Sequence, residues 1–433
     1  MKKNIIIYCI ILYVAFILGN SVVIGQTTLN EYIQYAIQHS PDIESKYNKY
    51  LATKENIKAK TALSDMEFSL NIFPEPMQNV NGEQVATVSL MQMFPWFGTL
   101  GSQNKQMQCM SKADYEEMKS SVFDIAYKVK TKYYDLLSNQ EIRKIVKHKI
   151  EILDNIQEIF TSNYTNTSAN GIAKSSVTDL VDLQMQREEL FLQQTTLEDD
   201  FQNMKQQFNN LLHRDEMEDV ILLDTLQYNS QDISLFTYDT IVKNNPQLNM
   251  LQASNDANLH AIEMQRKMSY PMIGVGLEYM INKETNMPKM EDMNGNNMFM
   301  AMFKLTLPIH RSKYKANINS VKYTSLSISQ QYDYQKDLLR NDFLSLQQNI
   351  LNKKKRLTLY DKQIELLETK KSLLENTYST DQNSLVNIIY LQLKIDDYKI
   401  NKINTITSIN KSFAKLSQLM ANEQYNNTIV KIE

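Results

Sequence analysis

The chain has 433 residues, a formal charge of −3, and an uneven vocabulary of 9 Gly and 8 Pro against 23 Met and 24 Tyr. So small a charge excludes a broad basic field, and with it nucleic acid as a partner. The five histidines (His39, His148, His213, His260 and His310) are scattered, with no HExxH spacing, no CxxC and no glycine-rich phosphate loop. That argues against an enzyme and against any bound cofactor.

The chain begins MKKNIIIYCIILYVAFILGNSVVIGQ: two lysines, an apolar run from Ile5 to Leu18, then small or polar residues. This is the layout of a secretory signal peptide, 1–25, with cleavage after Gly25; an uncleaved anchor helix would share it. Cys9 falls within the run, which leaves Cys109 alone in the mature chain and no intrachain disulfide. No later stretch approaches eighteen uninterrupted apolar residues, so no internal transmembrane helix is expected.

Proline is absent between 96 and 245 and after 308, and Gly171 is the only glycine between 102 and 273. Both residues punctuate local structure, so their absence predicts very long helices, one of them over about 102–162. From Phe343 the series Leu346, Ile350, Lys353, Leu357, Tyr360, Ile364, Leu367, Lys371, Leu374 and Tyr378 steps by three and four. That is a coiled-coil seam with two lysines as exceptions, and Ile406, Ile409, Phe413, Leu416 and Met420 repeat the pattern. Two polar clusters, TSNYTNTSANGIAKSS (tip about 162–176) and TYSTDQNS (tip about 377–384), predict reversals between antiparallel helices.

Strand alternation is confined to the regions where proline and glycine collect. Met66, Phe68, Leu70 and Ile72 alternate with polar residues, as do Ala86, Val88, Leu90 and Phe94, with Gln92 as the one break. Ile273, Val275, Leu277 and Tyr279 alternate over 272–280, and Phe299, Ala301, Phe303, Leu305 and Leu307 over 298–307. Hairpins are therefore expected at about 66–94 and 272–307. Met298, Met300 and Met302 fall on the face opposite the apolar one. Each segment is long enough to cross a bilayer as a tilted strand, and a half-buried soluble hairpin would show the same period.

The order of elements occurs twice. Ser40-Pro41 answers Asn245-Pro246, Phe94-Pro95 answers Leu307-Pro308, and SVTDLVDLQM from Ser176 answers SLVNIIYLQL from Ser384. The division is a first repeat over 26–220, a second over 221–425, and a tail over 426–433. Four strands cannot close a barrel, and an open edge in lipid leaves backbone groups unsatisfied. Three copies would supply twelve strands, an allowed even number.

On these features (the signal peptide, the doubled helix–hairpin–long-hairpin plan, and the junctions MFPWFG and LTLPIHR) the sequence resembles the TolC family of outer-membrane factors. The resemblance implies a mainly α chain with a small membrane β part. Four strands per chain would form a 12-stranded barrel, above an α-barrel tunnel of antiparallel coiled coils, in a homotrimer. It implies a passive duct in the cell outer membrane with a periplasmic tunnel, and outer-membrane lipid around the barrel. A periplasmic adaptor and an inner-membrane transporter of the RND, ABC or MFS type would be its partners.

The family's pore constriction lies just past the tips. Here the acidic residues are Asp179, Asp182 and Asp381, whereas Asn387 and Tyr390 stand where the resemblance expects carboxylates. Helix capping accounts for such aspartates equally well. Gly171 and Gln382 mark the adaptor-contacting tips. Met287, Met290 and Met293, in the hairpin loop NMPKMEDMNGNN, are soft ligands suited to copper or silver ions, or simply flexible apolar filler. Phe94, Pro95, Trp96, Phe97 and Pro308 mark the membrane-interface junction, where Gly98 and Gly101 are expected to allow the bend into the helix. The competing reading is an exported coiled-coil scaffold or adhesin without a pore.

Overall fold

A computed structural model describes residues 29–79, 81–167, 177–222, 225–285, 293–376 and 382–421, with 159–167, 177–179 and 382–386 described by backbone alone. The stretch 1–25, expected to be a signal peptide, lies with Cys9 outside the described residues. In chain order the elements are α1 (Leu29–Gln38), α2 (Pro41–Thr61), β1 (Glu67–Asn79), β2 (Gly82–Phe94), α3 (Thr99–Thr167) and α4 (Val177–Leu211). A short 3₁₀ turn, Ile233–Leu235, then leads to α5 (Tyr238–Asn244), α6 (Pro246–Lys267), β3 (Met272–Lys283), β4 (Met298–Thr306), α7 (Arg311–Asn376) and α8 (Gln382–Leu419). The helices are as long as the missing prolines and glycines require: α3 has 69 residues and α7 has 66. At 1.5 Å per residue each is about 100 Å long.

The chain divides into two units, one of residues 1–41, 122–241 and 341–433, the other of 42–121 and 242–340. Each draws on both halves of the sequence, so this partition cuts across the division at 220/221.

The first unit holds most of the apolar core. Tyr32 of α1, Tyr133 of α3 and Phe208 of α4 are all buried, with Tyr32 edge-on to Phe208 at 5.2 Å between centroids. The Tyr32 hydroxyl accepts from the Ile221 backbone N–H at 3.1 Å, and the Arg214 guanidinium lies 5.4 Å above its ring. One ring thus ties α1 to the segment that follows α4. Farther along, Ile142, Val146, Ile150 and Leu153 of α3 pack with Leu183 and Leu190 of α4, and Leu393 and Ile400 of α8 close over them.

The heptad seam is the buried stripe of α7: Phe343, Ile350 and Leu357 are buried there, with Ile409 and Phe413 buried on α8. Its two lysines are anchored on α8. Lys353 Nζ donates to Ser408 Oγ, and Lys371 Nζ to Gln392 Oε1 at 2.8 Å. Burial, aided by nearby Arg356, holds the Lys353 ammonium below the usual lysine range. A lysine at a seam position sacrifices some stability and specifies which residue must stand opposite. Here those residues are a serine and a glutamine.

In the second unit, α2 buries only Ile43 and is held to α3 by polar groups. Lys49 Nζ lies 2.7 Å from Glu117 and 3.0 Å from Asp114, and Thr53 Oγ1 donates to Asp114 at 2.7 Å. These bonds raise the Lys49 pKa, the one to Glu117 most.

The strands form one antiparallel sheet in the order β1-β2-β3-β4, leaving β1 and β4 as edges. β1 and β2 run farther than the alternation suggests, to Asn79 and back to Gly82. Pro74 and Pro76 interrupt the sequence pattern there. The chain accommodates them because β1 is an edge strand and its register shifts between Ile72 and Met77.

Candidate functional site

Register decides which side chains share a face. Phe68 lies opposite Leu90, Leu90 opposite Leu277, and Leu277 opposite Ala301. The rows above and below are Leu70–Val88–Tyr279–Phe299 and Gln92–Val275–Phe303. The apolar residues of all four strands therefore form one continuous face. That face is exposed: Phe68 66%, Ile72 68%, Phe299 68% and Phe303 80%, with Leu70, Leu90, Val275, Leu277 and Leu305 exposed as well. Gln92, the break in the pattern, turns its amide to the Ser64 and Met93 carbonyls at 2.8 and 3.1 Å.

The opposite face is polar and methionine-rich. Its rows are Ser69–Ser89–Glu278–Met300, Glu67–Met91–Gly276–Met302 and Asn71–Thr87–Met280–Met298. Met298, Met300 and Met302 thus lie opposite the apolar face, as the alternation predicts. One glycine makes room for sulfur. A Cβ on Gly274 would lie 2.6 Å from Met93 Sδ and 3.5 Å from Met91 Sδ.

The two ends of the sheet differ in chemistry. At one end lie two Asn-Gly pairs, Asn81-Gly82 where β2 begins and Asn294-Gly295 shortly before β4, with φ of +111° and +82° at the glycines. A side chain at Gly82 would collide with the Lys283 carbonyl at 2.3 Å. Asparagines bind this end together: Asn79 Nδ2 donates to Asn282 Oδ1 at 3.0 Å, and Asn282 Nδ2 to the Asn296 carbonyl at 2.8 Å. The two glycines are 213 positions apart, as are Pro95 and Pro308.

The other end is aromatic. Phe94 ends β2 exposed, Pro95 and Trp96 are half-buried, Phe97 is 78% exposed, and Pro308 is half-buried beyond β4. Trp96 stacks on Tyr270, with centroids 5.2 Å apart and planes 22° apart, and meets Phe97 edge-on at 5.9 Å. Gly98 makes the bend at φ +77°, and Thr99, the first residue of α3, ties back to it by donating from Oγ1 to the Trp96 carbonyl at 2.7 Å. Gly101 has no part in the bend, contrary to the sequence expectation: it lies within α3 at negative φ. Lys267, at the end of α6, reaches the Gly98 carbonyl at 3.2 Å and Ser102 Oγ at 2.7 Å. Arg311, opening α7, donates to the Ser269 carbonyl at 3.1 Å.

Of the remaining candidates, Asp182 is exposed on α4, and Asn387 and Tyr390 are exposed on α8. Asp179 (third residue of α4) and Gln382 (first residue of α8) are placed by backbone alone. Asp381, Gly171, Met287 and Met290 lie outside the described residues, and Met293 is exposed. No structural statement brings the aspartates or the loop methionines together.

No family model matches the chain, and no curated protein matches it in sequence. Solved structures do. CusC, a protein studied for transmembrane channel formation, superimposes with a TM-score of 0.71 at 12% identity, over 92% of each chain. The outer membrane protein VceC of Vibrio cholerae gives 0.69 at 12%, over 91% of this chain and 96% of that one. The CmeC outer membrane channel of Campylobacter jejuni gives 0.68 at 14%, over 93% and 88%. The fold is that of the TolC family. VceC and CmeC are themselves an outer membrane protein and an outer membrane channel.

A charge near the middle of a lipid-facing strand costs about 2–4 kcal/mol. Phe303→Arg is therefore expected to deplete the protein from outer-membrane fractions. Met300→Arg, on the other face, is expected to leave its amount unchanged. Immunoblots of fractionated membranes compare the two, and equal depletion would contradict the assignment of faces.

Proposed function

We propose that the protein is the outer-membrane duct of a tripartite export system and conducts substrates passively. It would work as a homotrimer with a periplasmic adaptor and an inner-membrane transporter. The observation that carries this reading is the exposed apolar face on a sheet with two free edges. Soluble proteins avoid apolar patches of this extent and guard their edge strands. In lipid the face is favourable, but the edges of β1 and β4 must then find partners, since no water is present to satisfy them. Joining the edges of successive copies satisfies both requirements and leaves the polar, methionine-bearing face toward a lumen. On this reading the repeats 26–220 and 221–425 are quasi-equivalent units of each protomer. Asp179, Asp182 and Asp381 supply carboxylates near the tips, where Gly171 and Gln382 meet the adaptor. No step makes or breaks a bond, so the protein is a conduit and not an enzyme.

A scaffold or adhesin would have the helices and the signal, but no use for an exposed lipid-compatible sheet. Conductance in planar bilayers separates the two. The purified protein is expected to give discrete steps, more cation-selective in the wild type than after Asp179→Asn with Asp182→Asn. Silent bilayers at all voltages would overturn the duct.

For cargo, the thioethers of Met91 and Met93 over Gly274, with those of the 286–297 loop, favour soft metal ions over hard ones. A strain carrying Met287→Leu, Met290→Leu and Met293→Leu is expected to lose copper and silver tolerance toward the level of a deletion strain. Tolerance equal to wild type in both strains would remove metal export from the account.

A further inference from the structure

The aromatic junction borders a cavity of about 740 Å³, formed where the ends of α2, β2 and α6 meet the starts of α3 and α7. All of its lining lies within the second unit of a single chain. The volume falls in the range of sites that take drug-sized molecules, and its wall is mixed, aromatic and apolar surface interspersed with polar and charged side chains. Trp96, Tyr270 and Tyr314 provide flat rings, and Met264 and Met268 provide polarizable, adaptable surface beside them. Trp96 and Tyr270 stack on each other, so a guest ring meets the outer face of one of them or the edges of both.

Its charge is one-sided. Lys60 and Lys313 line the cavity against a single carboxylate, Asp65. Neither lysine forms an ion pair among the described residues. Lys267, which lies close by, is engaged by the Gly98 carbonyl and Ser102.

We propose that this cavity is a binding site for a flat aromatic anion, its ring system against Trp96 and Tyr270 and its acid group between Lys60 and Lys313. The rings supply sequestered apolar surface, and the ammonium groups supply charge-assisted hydrogen bonds, roughly twice as strong as neutral ones. The site is complete within one chain, so the proposal does not rest on the pore. Conductance tests the pore, and ligand binding tests the cavity.

Trp96 is the only tryptophan in the chain, so its emission reports on this site alone. The full-length assembled protein, in lipid nanodiscs free of detergent, would be titrated with 1-anilinonaphthalene-8-sulfonate. A naphthalene of similar size carrying a quaternary ammonium serves as the control probe. Saturable quenching by the sulfonate is expected, weakened about tenfold in the Lys60→Ala, Lys313→Ala double variant, the loss that goes with removing two exposed charged contacts. Both lysines are exposed, so the variant keeps its fold. The proposal is overturned by quenching that rises linearly with probe, by a double variant that titrates like wild type, by equal quenching from the cationic probe, or by no quenching.

Discussion

A four-stranded sheet with one apolar face and two unpaired edges is not a stable object in water or in lipid by itself. In water the face is unsatisfied, and in lipid the edges are. The rest of the molecule follows from this. The strands, 9 to 13 residues each, are long enough to cross a bilayer when tilted. Register is fixed because slipping by one residue would turn every phenylalanine of the face to the other side. The ends of the sheet are built from different residues, an asparagine network at the hairpin turns and an aromatic and proline cluster at the helix junctions.

The long helices face a related problem. Rods about 100 Å long cannot bury themselves in a compact core, so each can hide only a stripe. In the first unit the stripe of α7 meets α8, and the Tyr32, Tyr133 and Phe208 rings fasten α1 to α3 and α4. Between apolar layers, Lys149 with Asp397 at 2.6 Å and Arg187 with Asp154 at 2.5 Å pair groups across helices. Partly exposed pairs of this kind add little stability and mainly fix which residues lie opposite. They restrict how the helices can slide against each other.

Much of this was legible in the sequence because it depends on local chemistry. The absence of Pro and Gly gave away α3 and α7, and a period of two gave away the faces of the sheet. What was not legible depends on residues far apart in the chain. The bend could be assigned to Gly98 rather than Gly101 only from φ, since both glycines follow Trp96 at the start of the helical stretch. The extension of β1 past Pro74 and Pro76 depends on its place at an edge, which local pattern does not reveal. Tyr270 stacks on Trp96 across 174 positions of sequence, so the cavity beside them has no linear signature. The two Asn-Gly pairs, 213 positions apart like Pro95 and Pro308, were readable and would have strengthened the repeat.

The central claim is that β1 of one copy pairs with β4 of the next until the sheet closes. Disulfide trapping tests it most directly. Cysteine would replace Ser69 on β1 and, in turn, each residue of 298–306 on β4, with the native thiol removed by Cys109→Ser. In native membranes the account predicts that matched positions yield a covalent species of three chains and nothing larger. Single chains at every position, or a ladder that continues past three, would contradict closure.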